Sequence, residues 1–275
     1  MIVFPNCKIN LGLNIIGKRA DGYHNLETVF YPLPFHDVLE VVNSSNKEES
    51  TELILSGNNI EGNAESNLCI KAYHLLKKHF SKLPVVKIYL HKVIPTGAGL
   101  GGGSADGAFM LLLLNDKFQL RLSQQQLINY ALQLGSDCPF FILNKPSFAQ
   151  QRGEVLEPIE VNLSSYKIVI INPGIHVSTS WAFTQTKFAA HNQLKEIINE
   201  PIKNWKEKLI NDFEIPVFKK YPEIKNIKEQ LYNSGAIYAS MSGSGSTVFG
   251  VFPQHALIDR QIFPTYYFIK ELFSV

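Results

Sequence analysis

Through residue 95, the apolar positions are mostly β-branched and aromatic residues in short runs cut by turn signals. Residues 2–16, 29–42, 53–55 and 85–90 are such runs and predict strands. One stretch breaks the rule: Leu68, Ala72, Leu75 and Leu76 form a helical stripe behind an acidic, Asn-rich start, which predicts a helix over 68–78. Helical spacing dominates from 104 to 134, first in ADGAFMLLLLND and then in Leu122, Leu127, Ala131 and Leu134, behind Ser123 as a cap. Asp137 stands just after Gly135 and two residues before Pro139, with Phe140, Phe141 and Ile142 behind it, the pattern of a helix start. Residues 147–162 turn extended again, and 167–171 is a short apolar strand ended by Asn172, Pro173 and Gly174. Residues 185–233 are more polar, Lys-rich and helical in period. Beyond them, 236–239 and 247–252 read as strands joined by MSGSGS, a second glycine-serine turn.

Between the strand at 85–90 and the helix after 104 lies PTGAGLGGGS, residues 95–104, with glycines at 97, 99, 101, 102 and 103. Glycines at a helix entrance let the backbone turn tightly and aim its N–H groups at one anion, and the helix dipole adds positive potential. The run is not a Walker loop, because Gly103 and not a lysine precedes Ser104. Gly97, Gly99 and Gly102 spell GxGxxG, but helix follows helix where a dinucleotide fold needs a strand. Protein-kinase logic fails as well, since neither an HRD nor a DFG triplet occurs. A flexible linker is seldom bounded by an apolar strand and an apolar helix.

At 275 residues and 45% hydrophobic, the chain can bury one large core or two modest ones, and two subdomains with a boundary near 155–165 fit the pattern better. A net charge of +2 from scattered Lys and Arg supplies no basic stripe for nucleic acid. Cys7, Cys69 and Cys138 are odd in number and lack CxxC spacing, so they read as buried thiols of a reducing cytosol. Pro5, Asn6 and Lys8 interrupt the N-terminal apolar run, and no later run approaches about 18 apolar residues. The expectation is a cytoplasmic protein with no membrane partner.

Phosphoryl transfer asks for phosphate positioning, charge neutralisation and one carboxylate to take the proton of the attacking hydroxyl. Asp137 can be that carboxylate, although taken alone it reads as an N-cap. Lys8, a lone cation among apolar strand residues, reads alone as an edge-strand charge. His36, His74, His79, His91, His176, His191 and His255 have no metal spacing.

In order, the segments CKINLGLNIIGKRADGYHNLETVF, PTGAGLGGGSADGA, LGSDCPFF, INPGIHVSTSWAF and SGSGSTVF resemble the GHMP kinase superfamily over nearly the whole chain. Through RADGYHNLET they resemble its 4-diphosphocytidyl-2-C-methyl-D-erythritol kinases in particular. The resemblance implies an α+β fold of two subdomains, an ATP-binding one over 1–160 and a substrate-side one over 161–275, with the active site in the cleft between them. It implies a kinase that uses Mg²⁺ and ATP to phosphorylate the 2-hydroxyl of the cytidine-diphosphate-linked methylerythritol of the non-mevalonate isoprenoid pathway. Asp137 would be the base and Lys8 its charge partner. Pro95, Gly97, Ala98, Gly99, Leu100, Gly101, Gly102, Gly103 and Ser104 would wrap the phosphates, and Asn67, Leu68 and Lys92 would line the adenine pocket. Tyr23 and His24 would recognise the cytosine, Phe183 would stack on it from the opposite side, and Asn10 and Thr179 would orient the erythritol and diphosphate. Gly243 and Gly245 would shape the third glycine motif.

Ser104 is a candidate Mg²⁺ contact, but no protein ligand of the metal is assigned. Asp106 is left out of the site, because its carboxylate must not face the ATP phosphates. Two features depart from the family pattern: Ala98 stands where some relatives have glycine, and Gly107 sits inside a helix. Residues 185–220 carry little of the motif pattern. A kinase for mevalonate or homoserine, or a nucleotide-binding regulator on the same scaffold, stays open as an alternative, as does a monomer or weak homodimer.

Overall fold

The computed structural model describes residues 1–44, 50–59, 63–186 and 193–273. In chain order the first elements are β1 (Ile2–Val3), β2 (Asn6–Lys18), β3 (His24–His36), β4 (Val38–Asn43), β5 (Glu52–Gly57), α1 (Leu68–His79) and β6 (Val86–Lys92). Next come α2 (Gly102–Lys117), α3 (Gln124–Leu134), α4 (Cys138–Leu143), β7 (Ser147–Gln151), β8 (Val155–Pro158) and β9 (Tyr166–Asn172). The rest are α5 (Thr179–Gln185), α6 (Leu194–Ile197), α7 (Glu214–Lys220), α8 (Pro222–Asn233), β10 (Tyr238–Met241), β11 (Val248–Pro253) and β12 (Phe268–Phe273).

These elements form two compact units. The first comprises Met1–Cys7, Phe35–Thr96 and Gly101–Asn144, and the second Lys8–Pro34, Gly97–Leu100 and Lys145–Val275. The cut expected at residue 160 falls inside the second unit, because β7 pairs with β3 and β8 pairs with β7 in one sheet. The extended stretch after 147 therefore continues the sheet begun by β2 and β3 and does not close a first domain.

In the first unit a sheet of order β1-β4-β6-β5 carries α1 to α4. Strand β6 alternates strictly: Val86, Ile88, Leu90 and Lys92 point inward, while Lys87, Tyr89 and His91 lie further out. Period two places all of one face against the helices, so Lys92 shares the apolar face. Helix α1 starts where the sequence predicts, capped by Asn67, whose Oδ1 accepts from the Cys69 N–H at 2.9 Å. Helix α3 starts at a capping box in which Ser123 and Gln126 satisfy each other's backbone N–H. Gly107 is explained by packing: a Cβ there would lie 2.8 Å from Leu68 Cβ.

The second unit holds two sheets, β2-β3-β7-β8 and β10-β11-β9-β12. Its core includes Leu13, Val169, Ile171, Phe213, Ile224, Leu231, Met241 and Phe252. Helices α7 and α8 are tied to β10 by buried Glu214, whose Oε1 accepts from Met241 N–H at 2.9 Å and from Ser240 Oγ at 3.0 Å, while Lys228 donates to Oε2 at 2.6 Å. Among the described residues of 185–233, the helical period is realised continuously in α7 and α8, and residues 187–192 lie outside the described residues. Between α5 and α7 the described residues form the single-turn α6, a 3₁₀ turn at Ile202–Asn204 and loops. Among the described residues, no helix is long and apolar enough to cross a membrane.

Candidate functional site

The glycine run is built as the entrance to α2. Gly101 is its N-cap at φ +70° and makes no side-chain cap, so the first-turn N–H groups are left to an anion. Gly99, at φ +78°, passes so close to the third glycine motif that a Cβ would fall 2.0 Å from the Ser242 carbonyl oxygen. That contact explains why this position takes no side chain. Two backbone hydrogen bonds pin the loop further, Thr247 N–H to Ala98 O at 3.3 Å and Lys8 N–H to Leu100 O at 3.0 Å. Pro95 lies between β6 and this loop.

In the first unit a cavity of about 230 Å³ is lined by Asn67, Leu68, Lys92, Thr96, Gly103 and Asp106, among others. The structure thus brings the three residues assigned to the adenine pocket together beside Gly103. Asp106, left out of the site at the sequence level, lines the same cavity. Lys92 Nζ donates to Asp106 Oδ2 at 2.6 Å and to Asp37 Oδ2, while Asp37 Oδ1 accepts from the Val93 and Ile94 N–H groups at 2.6 and 2.9 Å. The lysine charge is what makes a carboxylate tolerable at this depth. Burial pushes the Lys92 ammonium down, but Asp106 and Asp37 together hold it above the ordinary lysine value. Burial drives the Asp106 carboxyl up to about 7, against the pull of Lys92 and with the like charge of Asp37 adding to the rise. Asp37 was missed altogether. The available signal was Lys92 itself, since a lysine in the inward phase of an alternating strand requires a buried anion.

Asp137 occupies the N-cap position of α4, yet its side chain makes no capping hydrogen bond. The next residue, Cys138, has the Ser104 side chain, from the first turn of α2, near its thiol. Burial pushes the Cys138 thiol up to about 12, against the pull of the Ser104 hydroxyl, and the Asp137 charge adds to the rise. Two helix starts therefore meet in the first unit, one carrying the uncapped N–H groups and the other the half-buried carboxylate of Asp137.

In the second unit Lys8, Asn10 and Gly12 follow one another on the same face of β2. Lys8 Nζ donates to Asn10 Oδ1 at 2.6 Å and to Gly99 O at 3.2 Å, and Ser242 Oγ donates to the same Gly99 carbonyl at 2.8 Å. Gly243 packs beside Asn10, and Gly245 leaves no room for a Cβ against Met241. The motif is clasped from behind by Asn211, whose Nδ2 donates to the Met241 and Gly243 carbonyls at 2.8 Å each. Asn211 carried no signal at the sequence level. Thr179 opens α5 and shares a 2.7 Å hydrogen bond with the Ser244 hydroxyl, which brings it to the third motif.

His24 and Phe183 stack at 4.7 Å between centroids and 12° between planes, and Phe183 meets Phe213 edge-on at 4.9 Å. The sequence reading puts a base against Phe183; in this structure the His24 ring lies on it. Burial, with Lys18 nearby, lowers the His24 pKa and so favours the neutral imidazole. Tyr23 is 55% exposed, with the Arg152 guanidinium 4.9 Å from its ring centroid. Among the described residues, no group of three or more His, Cys, Asp or Glu side chains could hold a metal ion.

A sequence model of the GHMP kinases N terminal domain matches residues 67–145, and one of the GHMP kinases C terminal domain matches 189–263. A 4-diphosphocytidyl-2-C-methyl-D-erythritol kinase of Bacteroides fragilis is 54% identical over 265 residues, 96% of each chain. A crystal structure of a 4-(cytidine 5'-diphospho)-2C-methyl-D-erythritol kinase superposes with a TM-score of 0.78 at 31% identity, covering 91% of this chain and 90% of that one. The mevalonate kinase of Methanococcus jannaschii shares the fold alone, with a TM-score of 0.67 at 13% identity over 92% of this chain and 90% of that one. The glycine-loop architecture and a likeness that runs through both units lead to one assignment: the chain belongs to the GHMP kinases and, within them, to the 4-diphosphocytidyl-2-C-methyl-D-erythritol kinases.

Proposed function

We propose that the chain transfers the γ-phosphoryl group of ATP directly, in line and without a phosphoenzyme, to the 2-hydroxyl of 4-diphosphocytidyl-2-C-methyl-D-erythritol, a step toward isoprenoid precursors. The observation that supports this reading is the start of α2, where Gly101 supplies no side-chain cap and leaves the first-turn N–H groups open to an anion. Transfer of this kind asks little covalent chemistry of the protein, so positioning and charge account for most of the rate.

In this reading Asp137 accepts the proton of the tertiary hydroxyl, and the Lys8 ammonium stabilises negative charge on the transferring group. The loop from Pro95 to Ser104 holds the phosphates through backbone N–H groups, while Asn67, Leu68 and Lys92 receive the adenine. Neutral His24 offers one ring donor and one acceptor to the cytosine, Phe183 and Tyr23 supply aromatic faces, and Asn10 and Thr179 orient the rest of the substrate. Gly243 and Gly245 keep the third motif slim enough to support the loop. Mg²⁺ would neutralise phosphate charge, with Ser104 as a candidate side-chain contact.

Steady-state ADP release tests the proposal, with ATP, Mg²⁺ and either the cytidylyl substrate, mevalonate or homoserine. Turnover is expected with the cytidylyl substrate alone. Asp137→Asn is expected to lower kcat about 10³-fold. His24→Ala should raise KM for the cytidylyl substrate roughly 10-fold without moving KM for ATP. Turnover on mevalonate or homoserine would overturn the substrate assignment, and nucleotide binding without any turnover would favour a regulator.

A further inference from the structure

Asn10 is held in one of its two amide orientations by a residue that no part of the reading so far has used. Thr28, buried on β3, accepts a hydrogen bond from Asn10 Nδ2 at 2.9 Å and donates its own proton to the Gly12 carbonyl at 2.6 Å. A hydroxyl has one proton, and here it is spent on the Gly12 carbonyl. If the Asn10 amide flipped, its oxygen would face the Thr28 oxygen with no hydrogen between them, and its NH₂ group would face the Lys8 ammonium, donor against donor. The observed orientation satisfies both sides, with Oδ1 receiving Lys8 Nζ at 2.6 Å. The ammonium is bounded further by the Gly99 carbonyl at 3.2 Å and by the Phe30 ring, 5.0 Å from its centroid.

We propose that Thr28 is a positioning residue, which locks the Asn10 amide and through it sets the place of the Lys8 ammonium for phosphoryl transfer. Thr28 touches no substrate in this scheme and acts only through Asn10. The inference rests on the proposed kinase reading of Lys8 and Asn10. A side chain displaced by about 1 Å in such a site can cost on the order of 10²-fold in rate.

The test is a double-mutant cycle in the full chain, with kcat measured at saturating ATP and cytidylyl substrate and with affinity for a non-hydrolysable ATP analogue measured alongside. Thr28→Val keeps the shape but can neither accept from Asn10 nor donate to Gly12. It is expected to lower kcat roughly 10- to 100-fold with analogue affinity unchanged, while Thr28→Ser, which keeps the hydroxyl, restores kcat to near the wild-type value. In an Asn10→Ala background the Thr28→Val change should have no further effect on kcat, because its route to Lys8 is gone. If Thr28→Val does not fold, Thr28→Ala takes its place in the same cycle. A Thr28 variant that lacks the hydroxyl but keeps wild-type kcat would overturn the proposal, as would an equal kcat loss with and without Asn10. Failure of the kinase reading itself is distinguishable, since the wild-type chain would then show no turnover of the cytidylyl substrate.

Discussion

Lys8 in the second unit and Lys92 in the first are equally buried, 3% exposed each, and the hydrogen bonds around them differ. Lys92 donates to two carboxylates, Asp37 and Asp106, so its charge is cancelled where it stands. Lys8 donates to the Asn10 amide oxygen at 2.6 Å and to the Gly99 carbonyl at 3.2 Å. Two carboxylates closing on a buried lysine make it part of the architecture. Burial alone does not separate the two lysines.

Replacing each lysine by methionine is the sharpest way to break the comparison. Lys92→Met would leave Asp37 and Asp106 buried against one another, and urea denaturation is expected to show a loss of about 3–5 kcal/mol. A variant of wild-type stability would mean that the pair is not a structural charge cluster. Lys8→Met is expected to fold normally by circular dichroism and to lower kcat by about 10²- to 10³-fold. A reversal, with Lys8→Met unfolded and Lys92→Met stable but inactive, would exchange the two roles.

Asp106→Asn gives the smallest effect and the clearest sign. Between the ordinary carboxyl value of 3.8 and about 7, native Asp106 retains a proton that the unfolded chain has released. The unfolded state then binds fewer protons, so the Asp106 contribution to stability falls as pH rises through that window and levels off above it. The wild type should therefore lose stability relative to Asp106→Asn as pH rises across the window. A stability difference that stays constant with pH would show that Asp106 is already ionised in the acid range.

Much of this was legible locally. Helix α1 begins at Leu68 as predicted, because Asn67 caps it and its apolar stripe is periodic, and α2 follows the glycine run for the same kind of reason. The strand pattern of β6 even shows Lys92 in the inward phase. Its partners could not be read, because Asp37 and Asp106 lie 55 and 14 residues away in sequence and only folding joins them. The same limit hid Thr28 and Asn211, whose hydrogen-bond partners belong to other strands. Strand β12 also went unread, since the pattern names no strand after residue 252, yet Phe268–Phe273 pairs antiparallel with β9. Asp137, which taken alone reads as an N-cap, does sit at that position of α4, without the capping hydrogen bond.

The most direct test of the central claim is the phosphorus NMR spectrum of the product formed from ATP and 4-diphosphocytidyl-2-C-methyl-D-erythritol. Carbon 2 of the acceptor bears a methyl group and no hydrogen, so an ester on its hydroxyl has no proton to split the phosphorus line. The account predicts a new phosphomonoester singlet growing in step with ADP. A new resonance split by carbinol protons would place the phosphate on a different hydroxyl, and no new resonance beside intact ATP would contradict phosphoryl transfer to this substrate.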